Sequence, residues 1–183
     1  MTCIIGVECK DGIVIAGDYL GSNGFTKSLV TQSKIFEHSD ILYGYCGSFR
    51  YGQLLEICLD NNHLYKPTIN DTYSWLIRSF IPELKAVLKE HDCAPSSGSA
   101  VIGINGQMWE LQCDLSVLRS PDGIVSVGSG NFHAISSMKT MLKLHNKPLT
   151  TSKAIEMLDL AYDVIAETNC GVSREFNHII KFL

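Results

Sequence analysis

Thr2-Cys-Ile-Ile-Gly-Val-Glu-Cys-Lys10, then Asp11-Gly12, then Ile13-Val-Ile-Ala-Gly-Asp18 is the stretch from which the fold can be read. Both runs are β-branched, the first partly alternating, and an Asp-Gly turn joins them. That combination is a strong local signature of a β-hairpin. A polar, glycine-bearing loop over 19–31 leads into Ser33-Lys34-Ile35-Phe36, and Ser39-Asp40 turns the chain into another strand over 41–46.

Beyond Gly47 the hydrophobic period changes from two to about 3.6. Leu54, Leu55, Cys58 and Leu59 predict a helix over 49–64, which Lys66-Pro67 should end. A second helix is predicted from Asn70-Asp71, with Tyr73, Leu76, Ile77, Phe80, Leu84, Val87 and Leu88 on one face. Pro82 inside it implies a kink or a restart, because proline has no amide hydrogen to give. A second hairpin follows over 99–104 and 107–113, turned by Asn105-Gly106, and further short strands cover 115–119 and 123–127. Two more helices are expected, over 131–144 (Ile135, Met138, Leu142) and 152–168 (Ile155, Leu158, Tyr162, Ile165). A last strand spans 176–182.

Strands, two helices, strands, two helices and a strand, with hairpins and no glycine-marked crossover, predict antiparallel sheets. The expected fold is α+β: one domain over 1–183, built as four αββα layers with two stacked sheets between helix pairs.

Composition narrows the function. Of 183 residues, 45% are hydrophobic and 19% charged, which is neither disordered nor fibrous. Fifteen basic residues stand against 19 acidic ones, so nucleic-acid binding has no general electrostatic support. No apolar run nears the ~20 residues that cross a bilayer. The N-terminus lacks the charged lead and apolar core of an export signal, so a cytoplasmic protein without a membrane partner is expected. Seven cysteines, an odd number with no C-x-x-C pair, predict free thiols, at least five of them acting as small buried hydrophobes. Phosphate-binding, zincin, serine-elbow and EF-hand motifs are missing, and the six histidines are scattered. Neither a metal nor a cofactor is expected.

Chemistry concentrates at the N-terminus. Threonine is small enough at position 2 for an aminopeptidase to remove Met1. The exposed α-amine of Thr2 would have an ordinary pKa of about 7.7–8.0, so part of it is neutral at physiological pH. A neutral amine beside the Thr2 hydroxyl can take its proton and make a nucleophile of it. Asp18 ends an apolar strand and Lys34 precedes Ile35-Phe36; if the first three strands are neighbours, the two can pair beside Thr2. An ammonium there would lower the α-amine pKa. An ordinary ion pair at a strand edge explains the same spacing. Gly44, Gly47 and Ser48, and again Gly128-Ser129-Gly130, mark strand-to-helix turns. These suit either free amides that stabilise an oxyanion or simply a positive φ.

Taken together, Thr2-Cys-Ile-Ile-Gly-Val, Lys10-Asp-Gly-Ile-Val-Ile-Ala-Gly-Asp18, Ser33-Lys34-Ile-Phe36, Gly44-Tyr-Cys-Gly47-Ser48 and Gly128-Ser129-Gly130 resemble proteasome β-type subunits and their simpler bacterial relative HslV. Both are N-terminal-nucleophile (Ntn) hydrolases. The resemblance implies an αββα Ntn-hydrolase fold and a threonine-type peptidase that cleaves unfolded polypeptides. Thr2 would be nucleophile and, through its amine, base; Lys34 would tune the amine and Asp18 would hold Lys34. The Gly47 amide would form the oxyanion hole, and Ser129 would support the Thr2 amine. Glu167 and Cys170 stand where the family places an aspartate and a serine. Tyr45 and Phe49 fall where it lines its primary specificity pocket. The resemblance also implies homo-oligomeric stacked rings fed by a separate ATP-dependent unfoldase. No propeptide is seen, so loss of Met1 alone would mature the chain. Retained Met1 would instead leave an inactive ring subunit. A small-amide hydrolase that uses Cys3 after loss of two residues is a further alternative.

Overall fold

The first hairpin forms as β1 (Cys3–Cys9) and β2 (Gly12–Asp18), antiparallel from Ile4 opposite Gly17 to Cys9 opposite Gly12. The computed structural model describes residues 1–22, 26–60, 67–145 and 147–183. The turn residues are Lys10 and Asp11, one position earlier than the Asp-Gly signal suggested. Asp11 also anchors a helix, since its carboxylate accepts from the backbone N–H and the hydroxyl of Thr151, at 2.9 and 3.0 Å. Gly12 sits against the final strand, where a Cβ would lie 2.3 Å from the Lys181 carbonyl oxygen.

Short strands β3 (Leu20–Ser22) and β4 (Lys27–Leu29) pair as a ribbon inside the segment expected to be a loop. Each strand is three residues long, β3 largely buried and β4 exposed, too short for a two-residue period to be detected. The chain continues through β5 (Ile35–His38) and β6 (Ile41–Gly47). Ser39 and Asp40 make the two-residue turn between them, both with positive φ (45° and 72°), as Asn105 and Gly106 do later (53° and 75°). Those angles suit the right-handed twist of a hairpin.

Helix α1 (Phe49–Asp60) buries Leu54, Leu55, Cys58 and Leu59 as expected; the expected continuation over 61–64 and the Lys66 break lie outside the described residues. Next come α2 (Thr72–Trp75), a π-helical stretch Leu76–Phe80 and α3 (Ile81–Glu90). The expected restart at Pro82 takes the form of this π segment, which widens the helix just before the proline. It also breaks the predicted stripe. Leu76, Phe80, Leu84, Val87 and Leu88 are buried, whereas Tyr73 and Ile77 are exposed and Trp75 is buried instead.

Strands β7 (Gly98–Ile104), β8 (Gln107–Leu111), β9 (Val117–Leu118) and β10 (Ile124–Gly128) precede α4 (Asn131–Leu144), α5 (Thr151–Thr168) and β11 (Phe176–Phe182). They complete a four-stranded antiparallel sheet, β10-β1-β2-β11, and a five-stranded one, β5-β6-β7-β8-β9. Three apolar layers hold the sandwich. Ile4, Ile13, Ile15, Ile35, Leu42, Val101 and Met108 fill the space between the sheets. Cys3, Ile5 and Val7 face Met138, Leu158 and Tyr162 of α4 and α5. Tyr43, Ile102 and Leu111 face Leu54, Leu84 and Leu88 of α1 and α3. Both faces of β1 and β2 are thus covered, which explains why their apolar runs hardly alternate. The fold is the expected αββα sandwich of two stacked antiparallel sheets.

Gly44 departs from expectation. It lies in the middle of β6, not at the strand-to-helix turn, and a Cβ there would meet Ile35 and Ile4 at 2.8 Å. It lets the two sheets approach.

Candidate active site

Thr2 immediately precedes β1, at the end of the sandwich where β2 finishes in Asp18 and β6 in Gly47. Lys34 lies just before β5, in the sheet opposite β1 and β2. The three first strands are therefore not neighbours, and the expected pairing of Asp18 with Lys34 happens across the gap between sheets. The Lys34 ammonium donates to Thr2 Oγ1 at 2.9 Å, to Asp18 Oδ1 at 3.1 Å and to the Leu20 carbonyl at 2.7 Å. An ammonium has three hydrogens, and each has an acceptor.

Thr2 is 4% exposed, Asp18 0% and Lys34 2%. Burial of these charges costs several kcal/mol unless each is matched. Asp18 is matched by backbone as well as by Lys34: it accepts from the N–H groups of Cys3 (3.0 Å), Leu20 (3.0 Å) and Ser173 (3.3 Å). Burial pulls the Lys34 pKa below its ordinary value, and the Asp18 carboxylate opposes that pull.

The Thr2 backbone N–H donates to Ser129 Oγ at 3.3 Å, and the Ser129 hydroxyl points back to the Thr2 carbonyl at 3.5 Å. Ser129 follows Gly128, whose φ of +100° and contact with Thr2 leave no room for a side chain: a Cβ would be 2.2 Å from the Thr2 carbonyl oxygen. Gly47 is held in the same way. Its φ is +96°, and a Cβ would approach the Ser97 carbonyl oxygen to 2.3 Å. Tyr45, Gly47 and Phe49 line one cleft with Met1, Thr2 and Lys34. Phe49 is 40% exposed, and its ring meets Tyr45 edge-on at 6.4 Å.

Met1 closes this arrangement. Its carbonyl accepts the Thr2 hydroxyl at 2.5 Å, and the Thr2 nitrogen is an amide here. An amide nitrogen has no basic lone pair.

Thr2, Asp18, Lys34, Gly47 and Ser129 thus come together from residues spread over most of the chain. Glu167 and Cys170 do not join them; both are exposed, Glu167 on the last turn of α5 and Cys170 just beyond it. From this segment Asn169 reaches the site, its amide nitrogen donating to the Ser129 carbonyl at 2.7 Å, and Gly171 packs against Met1 and Ser129. Sequence reasoning missed Asn169, Ser173 and the Leu20 carbonyl. A carbonyl or a backbone N–H, which is how Ser173 takes part, leaves no trace in sequence, and the Asn169 side chain belongs to no periodic pattern. Cys3 faces the helix layer, where burial pushes its thiol up to about 12, so it is a poor nucleophile. All seven cysteines are free thiols, three of them buried. Among the described residues no group of three or more His, Cys, Asp or Glu could hold a metal, and no helix is long and apolar enough to cross a membrane.

No protein-family model matches the chain. It is 22% identical over 182 residues to the ATP-dependent protease subunit HslV of Rickettsia prowazekii (strain Madrid E), an alignment that covers 95% of this chain and 93% of that one. Among solved structures it is similar to BPH of Thiobacillus denitrificans in complex with epoxomicin, at TM-score 0.80 and 18% identity over 99% and 98% of the two chains. HslV from Trypanosoma brucei matches at TM-score 0.74 and 18% identity over 97% and 98%. The fold is that of Ntn hydrolases, and the chain resembles HslV and the proteasome-type subunits along nearly its whole length.

Proposed function

We propose that the chain is a threonine-type peptidase subunit in which Thr2, freed of Met1, is the nucleophile. The observation that carries this reading is the buried chain Thr2 Oγ1–Lys34 Nζ–Asp18 Oδ1, at 2.9 and 3.1 Å. A lysine sunk between two sheets and aimed at a hydroxyl has little structural purpose that an apolar side chain would not serve better.

With Met1 gone, the Thr2 α-amine takes the Oγ1 proton while Lys34 stabilises the oxygen as it attacks a peptide carbonyl. The Gly47 N–H faces the negative oxygen of the tetrahedral adduct. The adduct collapses as the amine passes its proton to the leaving nitrogen, which releases one product and leaves an ester on Thr2. Water, deprotonated by the same amine, cleaves that ester. Tyr45 and Phe49 would receive the side chain before the cut bond, favouring apolar residues there. Two names support the reading from outside: relatives called ATP-dependent protease subunit, and a structural neighbour that binds epoxomicin. With no ATP-binding motif in this sequence, ATP dependence would come from a separate unfoldase that feeds unfolded chains to homo-oligomeric rings.

A second reading is an inactive ring subunit that keeps its methionine: while Met1 is attached, the Thr2 nitrogen is an amide and the Thr2 hydroxyl bonds to the Met1 carbonyl. Intact mass of the native protein, with fluorogenic peptide turnover by wild type and Thr2→Ala, separates the two. Loss of methionine with Thr2-dependent turnover supports the peptidase. A capped protein without turnover, or turnover unaffected by Thr2→Ala, rejects it.

A further inference from the structure

The turn that follows α5 is folded onto Ser129. Asn169 is the residue on which the helix ends, with extended backbone angles (φ −127°, ψ 110°) that turn its side chain across the site. Its Nδ2 donates to the Ser129 carbonyl at 2.7 Å, and its Oδ1 accepts from the Gly171 N–H at 2.8 Å. One orientation of the amide satisfies both contacts; flipped, it would set a carbonyl against a carbonyl and an NH₂ against an N–H. Gly171 in turn lies on Ser129: a Cβ there would be 2.8 Å from the Ser129 hydroxyl oxygen. The Asn169 amide therefore clamps the β10–α4 turn to the α5–β11 turn, and the Ser129 hydroxyl is held between them.

We infer that Asn169 is a positioning residue that sets the Ser129 hydroxyl against the Thr2 nitrogen and so fixes the proton affinity of the mature α-amine. This rests on the peptidase reading. The direction follows from the hydrogen bonds. The Ser129 proton points to the Thr2 carbonyl, so its oxygen accepts from the Thr2 nitrogen. An accepting oxygen favours the ammonium over the neutral amine. If Asn169 is lost, the hydroxyl is released and the amine becomes a weaker base.

The test uses the full chain beginning at Thr2, released from a cleavable fusion, and compares wild type, Asn169→Leu, Asn169→Gln and Ser129→Ala with the Asn169→Leu/Ser129→Ala double variant. The midpoint of α-amine acylation against pH is read by mass spectrometry, and peptide turnover is read on the same samples. Asn169→Leu should lower the midpoint by about 0.5–1 pH unit and kcat roughly tenfold with KM unchanged. Asn169→Gln, which keeps donor and acceptor, should restore part of both. In the Ser129→Ala background, Asn169→Leu should move neither. An unmoved midpoint, or a shift that persists without the Ser129 hydroxyl, overturns the inference even if the enzyme is active. A shift that behaves as stated in a chain without turnover keeps the inference and removes the peptidase reading. If Asn169→Leu fails to fold, Asn169→Gln carries the test: a midpoint more than about 0.5 unit above wild type would sink it, since looser placement can only lower it.

Discussion

Asp18 and Lys34 form an ion pair between the two sheets, 3.1 Å long, with side chains 0% and 2% exposed. Asp18 ends a strand of one sheet and Lys34 leads into a strand of the other, so the pair ties the sandwich together at the end where Thr2 lies. Breaking it strands a charge in an apolar layer.

Stability should therefore respond to either partner. Lys34→Met or Asp18→Asn alone is expected to cost about 3–5 kcal/mol, and the double variant less than the sum of the two. Chemical denaturation measures this; a single variant within about 0.5 kcal/mol of wild type would contradict the structure.

At Gly47 the prediction concerns activity as well as folding. Gly47→Ala forces a side chain into a left-handed φ, at about 1–2 kcal/mol, and onto the Ser97 carbonyl. The displaced amide should lower kcat by about 10²–10³-fold. Near-normal turnover in a folded Gly47→Ala protein would remove Gly47 from the oxyanion role.

Thr2 itself offers an isosteric comparison. In the chain without Met1, Thr2→Ser should keep measurable peptide hydrolysis because the hydroxyl and amine remain. Thr2→Val fills the same space without the oxygen, and turnover should drop by about 10³-fold or more. Equal rates for the two variants would show that the oxygen does not react.

Asp11 should make stability depend on acid. The Thr151 backbone N–H, helped by its hydroxyl, holds the Asp11 carboxyl below its ordinary 3.8. A depressed carboxylate stabilises the folded state above its unfolded pKa, and that contribution disappears as pH falls through the folded value. Asp11→Asn should thus be less stable than wild type at about pH 6, with the gap closing below pH 3.8. A gap that stays constant down to about pH 2 would show that the charge contributes nothing.

Much of the fold was legible because its signals are local. Asn105-Gly106 and Ser39-Asp40 turn where their residue types allow positive φ, and α4, α5 and β11 begin and end within a residue or so of the expected positions. The ribbon of β3 and β4 was not legible because strands of three residues are too short to show a period. The stripe through Tyr73 and Ile77 failed because a π turn rotates the helix face, and an ideal period cannot anticipate that. Within the site, Asp18 and Lys34 were visible as charges at the ends of apolar strands, whereas Thr2, Gly47 and Ser129 had ordinary explanations and stood out only through the family resemblance. Glu167 has the expected place along the chain, yet it faces solvent while Asn169 turns inward.

Residue order alone determined most of the strands and helices and the αββα layering, since backbone geometry and hydrophobic period act over a few neighbours. The tertiary structure decided the rest. It showed that Lys34 meets Thr2 from the facing sheet, that the Met1 carbonyl occupies the Thr2 hydroxyl, and that an asparagine completes the surroundings of Ser129. Those contacts join positions from 1 to 40 residues apart or depend on where a single side chain points. Distances of that kind are set by how two sheets pack, and no window of sequence contains that packing.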